Sequence, residues 1–126
     1  MTENRSPAAT HAIWSDVPIE LVFPGITRQT VQAANQTLIR YVYSPDSVFP
    51  EHHHPEEQVT CVLSGQIEFT VEGERILLGP GEVAVIPPNI PHGAKVVGEI
   101  TVETLNTLSP RRSASPYSGD DKVSTA

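Results

Sequence analysis

Residues 66–78 commit this chain to β structure. Gln66-Ile67-Glu68-Phe69-Thr70-Val71-Glu72 alternates strictly, with Ile67, Phe69 and Val71 on one face. A period of two belongs to a strand with one buried side. Glu72-Gly73-Glu74 then predicts a tight turn into a returning strand, Arg75-Ile76-Leu77-Leu78. Residues 59–63 and Val83–Ile86 are short, nearly continuous apolar runs, the pattern expected of strands covered on both faces. Residues 26–33, Thr37–Tyr43 and 100–108 are further β-rich runs. Roughly seven to nine strands, at intervals of about eight to twelve residues, predict a sandwich or barrel. No stretch has a convincing helical period. The 8 glycines and 12 prolines, about a sixth of the chain, favour turns and short strands.

With 126 residues there is room for one core and no second domain. Residues 1–12 and 113–126 are small, polar and Pro/Ser-containing, with too little apolar area to offset the entropy of ordering them. They are expected to be flexible tails around a barrel domain over residues 13–112. The net charge of −7 argues against nucleic acid and anionic membranes as partners, since both need a cationic surface. The single Cys61 cannot form an internal disulfide. No apolar run approaches the ~18 residues of a membrane span, and residues 1–10 lack a signal-peptide core. A cytoplasmic protein is expected. An open barrel leaves edge strands that proteins cover or pair, and a homodimer is expected.

The chemistry gathers in Glu51-His52-His53-His54-Pro55-Glu56-Glu57-Gln58. In a strand, residues i and i+2 share a side, so His52 and His54 point one way while Glu51 and His53 point the other. Pro55 cannot donate to a ladder and marks a strand end or bulge. The next strand carries Gln58, with Thr60 and Val62 on its face. Cys61, with Val59 and Leu63 on the opposite face, reads as a small buried hydrophobe. Two imidazoles and an amide oxygen are thus expected to converge from adjacent strands. Three consecutive histidines also suit an exposed polar turn, and parity assigns His53 to that role. His92 follows Gln58 by 34 residues, behind Pro87-Pro88-Asn89-Ile90-Pro91, a frame that rigidly sets where the next strand begins. Neutral imidazole is the commonest metal ligand, and three nitrogens with one oxygen leave positions open for substrate. His52, His54, Gln58 and His92 are the expected ligands of one divalent ion among Mn, Fe, Ni, Zn and Cu.

Other residues have less specific readings. Arg40, Tyr41 and Tyr43 lie on a strand just before the histidines, where one face lines a cavity or the tyrosines pack in the core or a dimer contact. Arg28 and Arg112 are candidates to clamp a carboxylate. Arg28, Arg40 and Tyr41 are therefore the candidate substrate-binding residues. Trp14 packs on the barrel, spans a dimer contact or caps the mouth.

These segments resemble the cupins, small jelly-roll β-barrels whose first motif reads G-x5-H-x-H-x3-4-E-x6-G and whose second reads G-x5-P-x-G-x2-H-x3-N. His52, His54 and Gly65 match the first, with Gln58 at the glutamate position; Gly81, Pro87 and His92 match the second. Asp46 and Asn89 stand where two motif glycines would be, and both residue types tolerate left-handed turns. Val96 replaces the final asparagine. The string His-x-His-Pro-x-Glu-Gln is similar to the KdgF-like pectin-degradation subgroup, whose members convert an unsaturated uronate into its linear keto form. That subgroup ends its last strand with something like D-x-F-S-P-x-R. Here the stretch is Asn106-Thr107-Leu108-Ser109-Pro110-Arg111-Arg112. The resemblance makes Asn106 and Arg112 the candidate catalytic positions, although an amide does not titrate and cannot take over an acid's proton transfer.

A glutamine in place of glutamate makes the ligand set neutral, so a bound ion keeps its full charge and acts as a stronger Lewis acid. The expected function is a metal-dependent enzyme on a small oxygenated substrate, catalysing isomerisation, cyclisation or proton transfer at a sugar-acid or polyketide-like carbonyl or enol. The alternatives are a cupin dioxygenase, a non-catalytic metal- or ligand-binding module, and a vestigial barrel without metal.

Overall fold

A computed structural model describes residues 8–112 and the backbone of residues 122–123; the rest of the two expected tails lies outside the described residues. Among the described residues, one 3-10 turn at Trp14–Asp16 is followed by eleven strands: β1 (Glu20–Phe23), β2 (Ile26–Gln32), β3 (Thr37–Tyr43), β4 (Val48–His53), β5 (Glu57–Ser64), β6 (Gln66–Val71), β7 (Glu74–Leu78), β8 (Val83–Ile86), β9 (His92–Val97), β10 (Val102–Ser109) and β11 (Lys122–Val123). One antiparallel sheet has the order β1-β2-β3-β10-β5-β8, the other β11-β4-β9-β6-β7. The fold is the expected all-β jelly roll. Among the described residues no helix is long and apolar enough to cross a membrane.

Alternation builds the interior. Along β3 and β10 every second residue is buried without a break, so Ile39, Tyr41 and Tyr43 share the inside with Val102, Thr104, Asn106 and Leu108. The predicted hairpin is present as β6 and β7, with Ile67 opposite Leu78 and Val71 opposite Glu74. Ile67 and Phe69 enter the core and Val71 packs at its margin. Burying each such side chain contributes about 1.5–3 kcal/mol.

Asp46 (φ 70°) and Asn89 (φ 63°) do adopt left-handed backbone. Gly65 (φ 73°) is needed twice over, because a Cβ there would lie 2.8 Å from both the Thr101 carbonyl and a Val102 methyl.

One expectation needs correction. The apolar runs of β5 and β8 are not covered on both faces: Leu63, Val83 and Val85 are 44%, 54% and 60% exposed. Their outward side is apolar yet open in a single chain, and Cys61 is only half-buried there. At the other end, the backbone of Lys122–Val123 pairs with His53 and His52 beside β4.

Candidate metal centre

His52 and His92 face each other across β4 and β9. Strict alternation would not put both Phe49 and His52 inside, since they are an odd number of residues apart. A bulge does it: Phe49 pairs with Ala94 and His52 with His92, three steps on β4 against two on β9. Pro50 sits in the bulge, where the missing N–H costs nothing. Gly93 lies opposite, and a Cβ there would come within 3.0 Å of the Phe49 carbonyl. The Phe49 ring then packs on His52 at 4.7 Å between centroids.

His54 lies just past β4, where its carbonyl accepts a 2.8 Å hydrogen bond from the Asn89 N–H. That bond ties the histidine segment to the proline-framed turn before His92. Gln58 arrives differently from the expectation. β4 and β5 are consecutive but belong to opposite sheets, so the chain crosses between sheets at residues 54–56. Gln58 therefore approaches from the facing sheet rather than from a neighbouring strand. His53, as its parity predicts, is left out of the cluster.

All four side chains are buried. Each imidazole sets its Nδ1 against a backbone carbonyl two residues away: His52 on Pro50 at 3.0 Å, His54 on Glu56 at 3.1 Å, His92 on Ile90 at 2.8 Å. A carbonyl can only accept, so Nδ1 carries the proton in all three and Nε2 offers its lone pair. The ligating atoms of the three histidines lie within 4.8 Å of one another. Two nitrogens held on one ion at ~2.1 Å each in tetrahedral geometry lie ~3.4 Å apart, so a contraction of at most about 1.4 Å between nitrogens closes the cluster around a metal. Gln58 Oε1 lies 3.1 Å from His54 Nε2, and two lone pairs at that distance call for a proton or cation between them. The three buried histidines fit a metal ion.

The cluster opens onto a narrow cavity walled by Ile39, Phe49, Phe69 and Leu108 and carrying Tyr41, Tyr43, Asn106 and Arg112 as its further polar groups. Of the candidate substrate-binding residues, Tyr41 lines this cavity and two others do not. Arg40 faces outward, bonded to Glu103 and Gln29 at 2.6 Å each; neighbours on one strand cannot both point inward. Arg28 is buried behind Tyr41, its Nε on Glu20 at 2.9 Å and its Nη1 on Tyr41 Oη at 3.4 Å. Trp14 also stays outside, its carbonyl accepting from Gln29 at 2.7 Å. Burial, with Tyr41 adding to it and a Thr104 hydrogen bond opposing it, pushes the Tyr43 phenol far above its usual range. Tyr43 stays neutral at any ordinary pH.

Glu56 was missed by sequence reasoning. Its spacing is wrong for a ligand, yet it is buried, with Oε1 3.5 Å from Arg112 Nε and 3.4 Å from His54 Nδ1. It is the counter-charge of the cavity arginine, a pairing between distant positions that no local pattern announces.

Fold and site together define the class: a small β-barrel with a buried three-histidine cluster able to hold a metal ion. The chain belongs to the cupin domain family, whose family profile matches residues 39–107. It is 37% identical over 65 residues to the dimethylsulfoniopropionate lyase DddQ of Ruegeria pomeroyi, a match covering 49% of this chain and 32% of that one. It thus spans about a third of DddQ's length. The pectin degradation protein KdgF of Dickeya dadantii is 26% identical over 99 residues, covering 77% of this chain and 89% of its own. The structure of KdgF from Halomonas sp. superposes with a TM-score of 0.76 at 26% identity, over 84% of this chain and 97% of the other.

Proposed function

We propose that this chain is a metal-dependent cupin enzyme in which His52, His54, Gln58 and His92 hold one divalent ion, and which isomerises, cyclises or shifts a proton in a small carbonyl or enol compound such as a sugar acid. The observation that carries the reading is the common commitment of three Nδ1 atoms to backbone carbonyls, which leaves three Nε2 lone pairs inside a small cavity. A metal bound there would polarise a substrate oxygen as a Lewis acid. Around it the chain's own groups divide the remaining work. Arg112 offers a buried guanidinium to a substrate anion, and the apolar walls exclude water. Tyr41, the cavity hydroxyl beside Arg28, is the group placed to exchange a proton. Asn106 cannot do so.

Relatives that include a lyase and a pectin degradation protein support an enzyme. A non-catalytic binding module is the second reading, favoured by the lack of any carboxylate among the residues lining the cavity. Turnover separates the two. An unsaturated uronate and polyketide-like enols are offered to the metal-loaded protein, and loss of the enol's ultraviolet absorbance is followed. Turnover that disappears in folded His52→Ala and His92→Ala variants supports the enzyme. Full activity in either variant refutes it, and oxygen uptake with a flavonol or catechol would indicate a dioxygenase instead.

An apolar outer face supports the expectation of a homodimer. Val85 lies opposite Val59, Val83 opposite Cys61, and Cys61 opposite Leu105, giving a contiguous apolar outer face on β5, β8 and β10. We propose a cytoplasmic homodimer joined through this face.

A further inference from the structure

We infer that a one-way hydrogen-bond relay, starting at the Ile39 carbonyl and running through Asn106 and Thr60, fixes which end of the Gln58 amide faces the histidines. Thr60 and Asn106 are then positioning residues of the metal centre. The inference rests on the metal reading above and extends it to residues that never touch the ion.

An amide side chain can be turned either way in its site, and only its oxygen can ligate a metal. The far end of the relay decides the turn. Ile39 contributes a backbone carbonyl, which accepts and never donates. Asn106 Nδ2 lies 3.3 Å from that carbonyl and 2.8 Å from Thr104 Oγ1, so the amino end of Asn106 faces β3. Its Oδ1 must then face Thr60 Oγ1, at 2.6 Å. Oδ1 has no proton, so this bond consumes the single proton of the Thr60 hydroxyl. Thr60 Oγ1 has only lone pairs left for Gln58, which must meet it with Nε2, at 2.9 Å. Gln58 Oε1 is left facing His54 Nε2 and the cluster. Thr60, Thr104 and Asn106 are at most 1% exposed, so water is not at hand to reverse any link.

Two consequences follow from the direction of the relay. It selects a neutral amide at position 58, because a glutamate would place a second oxygen against Thr60, whose proton is already committed. It also explains an amide at position 106. An aspartate there could accept from Thr60 but would have no N–H for the Ile39 carbonyl. Asn106 acts here by orientation rather than by proton transfer.

The test uses chelator-treated protein titrated with Co²⁺, followed by calorimetry and by the visible d–d bands that report the donor set. Wild type is expected to bind one equivalent. Thr60→Val removes the hydroxyl at nearly constant shape and should weaken Co²⁺ binding about 10–100-fold, the loss typical of a broken outer-shell partner, and alter the d–d spectrum. Thr60→Ser should restore both. Equal Co²⁺ affinity and spectra in the valine and serine variants would overturn the inference. Should Thr60→Val fail to fold, proton NMR of metal-free wild type decides: contacts from the Gln58 amide protons to Thr60 support the relay, and their absence overturns it. A wild type that takes up no Co²⁺ refutes the metal reading separately, while the NMR contacts still judge the relay.

Discussion

Replacing Arg112 by methionine tests the buried charge pair beneath the cavity. The guanidinium Nε lies 3.5 Å from Glu56 Oε1, with the two side chains 2% and 8% exposed. At an effective dielectric of about 20, two unit charges at that separation attract by about 5 kcal/mol. Desolvation consumes much of this, so the pair's net contribution is smaller. Removing one member is costly regardless, because the Glu56 carboxylate would remain buried, with His54 Nδ1 3.4 Å away as its neighbour among the described residues. Losses of about 3–5 kcal/mol are typical of such a change. The assay is urea unfolding followed by circular dichroism. A loss of this size moves the midpoint by roughly 2–3 M for a slope near 1.5 kcal/mol/M. The double variant Arg112→Met/Glu56→Gln removes both charges and should recover most of the loss. A cost below about 1 kcal/mol for Arg112→Met, as for an exposed pair, would contradict the account. So would a double variant no more stable than the single.

Tyr43 gives a pH prediction. Its phenol is raised above its usual value of 10.0 by burial, with Tyr41 adding and the Thr104 hydrogen bond opposing. Above pH 10 the unfolded chain releases a proton that the folded chain keeps. The stabilisation is therefore complete below that pH and falls as pH rises past it, by up to about 1.4 kcal/mol per unit. Urea midpoints across this range should fall less steeply for Tyr43→Phe; parallel curves would remove Tyr43 as the cause. In the core, Ile67→Ala empties a site of 0% exposure and should cost about 2–5 kcal/mol, read from the same unfolding curves. On the outer face, Val85→Glu should convert the proposed homodimer to a folded monomer in light scattering after size exclusion, whereas an unchanged dimer mass would place the interface elsewhere.

Strand parity carried much of the fold and site from sequence alone. The hairpin of β6 and β7 and the split of His52 and His54 from His53 follow from a period of two. Asp46 and Asn89 were legible as left-handed turns from residue type. What parity could not supply was the partner of each strand. The bulge at Pro50–Glu51 appears only when β9 brings Gly93 opposite. The crossing that sends Gln58 to the facing sheet occupies three residues with no distinctive pattern of their own. Arg40 directly precedes Tyr41 on β3, so alternation sends it to the outer face, where it bonds to Glu103 and Gln29. The Glu56–Arg112 pair and the Gln58–Thr60–Asn106 relay join positions far apart in sequence, where only tertiary structure specifies contact.

Metal content tests the central claim most directly. Untagged wild-type protein and a His52→Ala/His92→Ala double variant are purified side by side and subjected to elemental analysis. The account predicts about one equivalent of Mn, Fe, Ni, Zn or Cu per chain in the wild type, and none in a folded double variant. A wild type that holds no metal even after reconstitution, or a variant that holds as much as wild type, would contradict it.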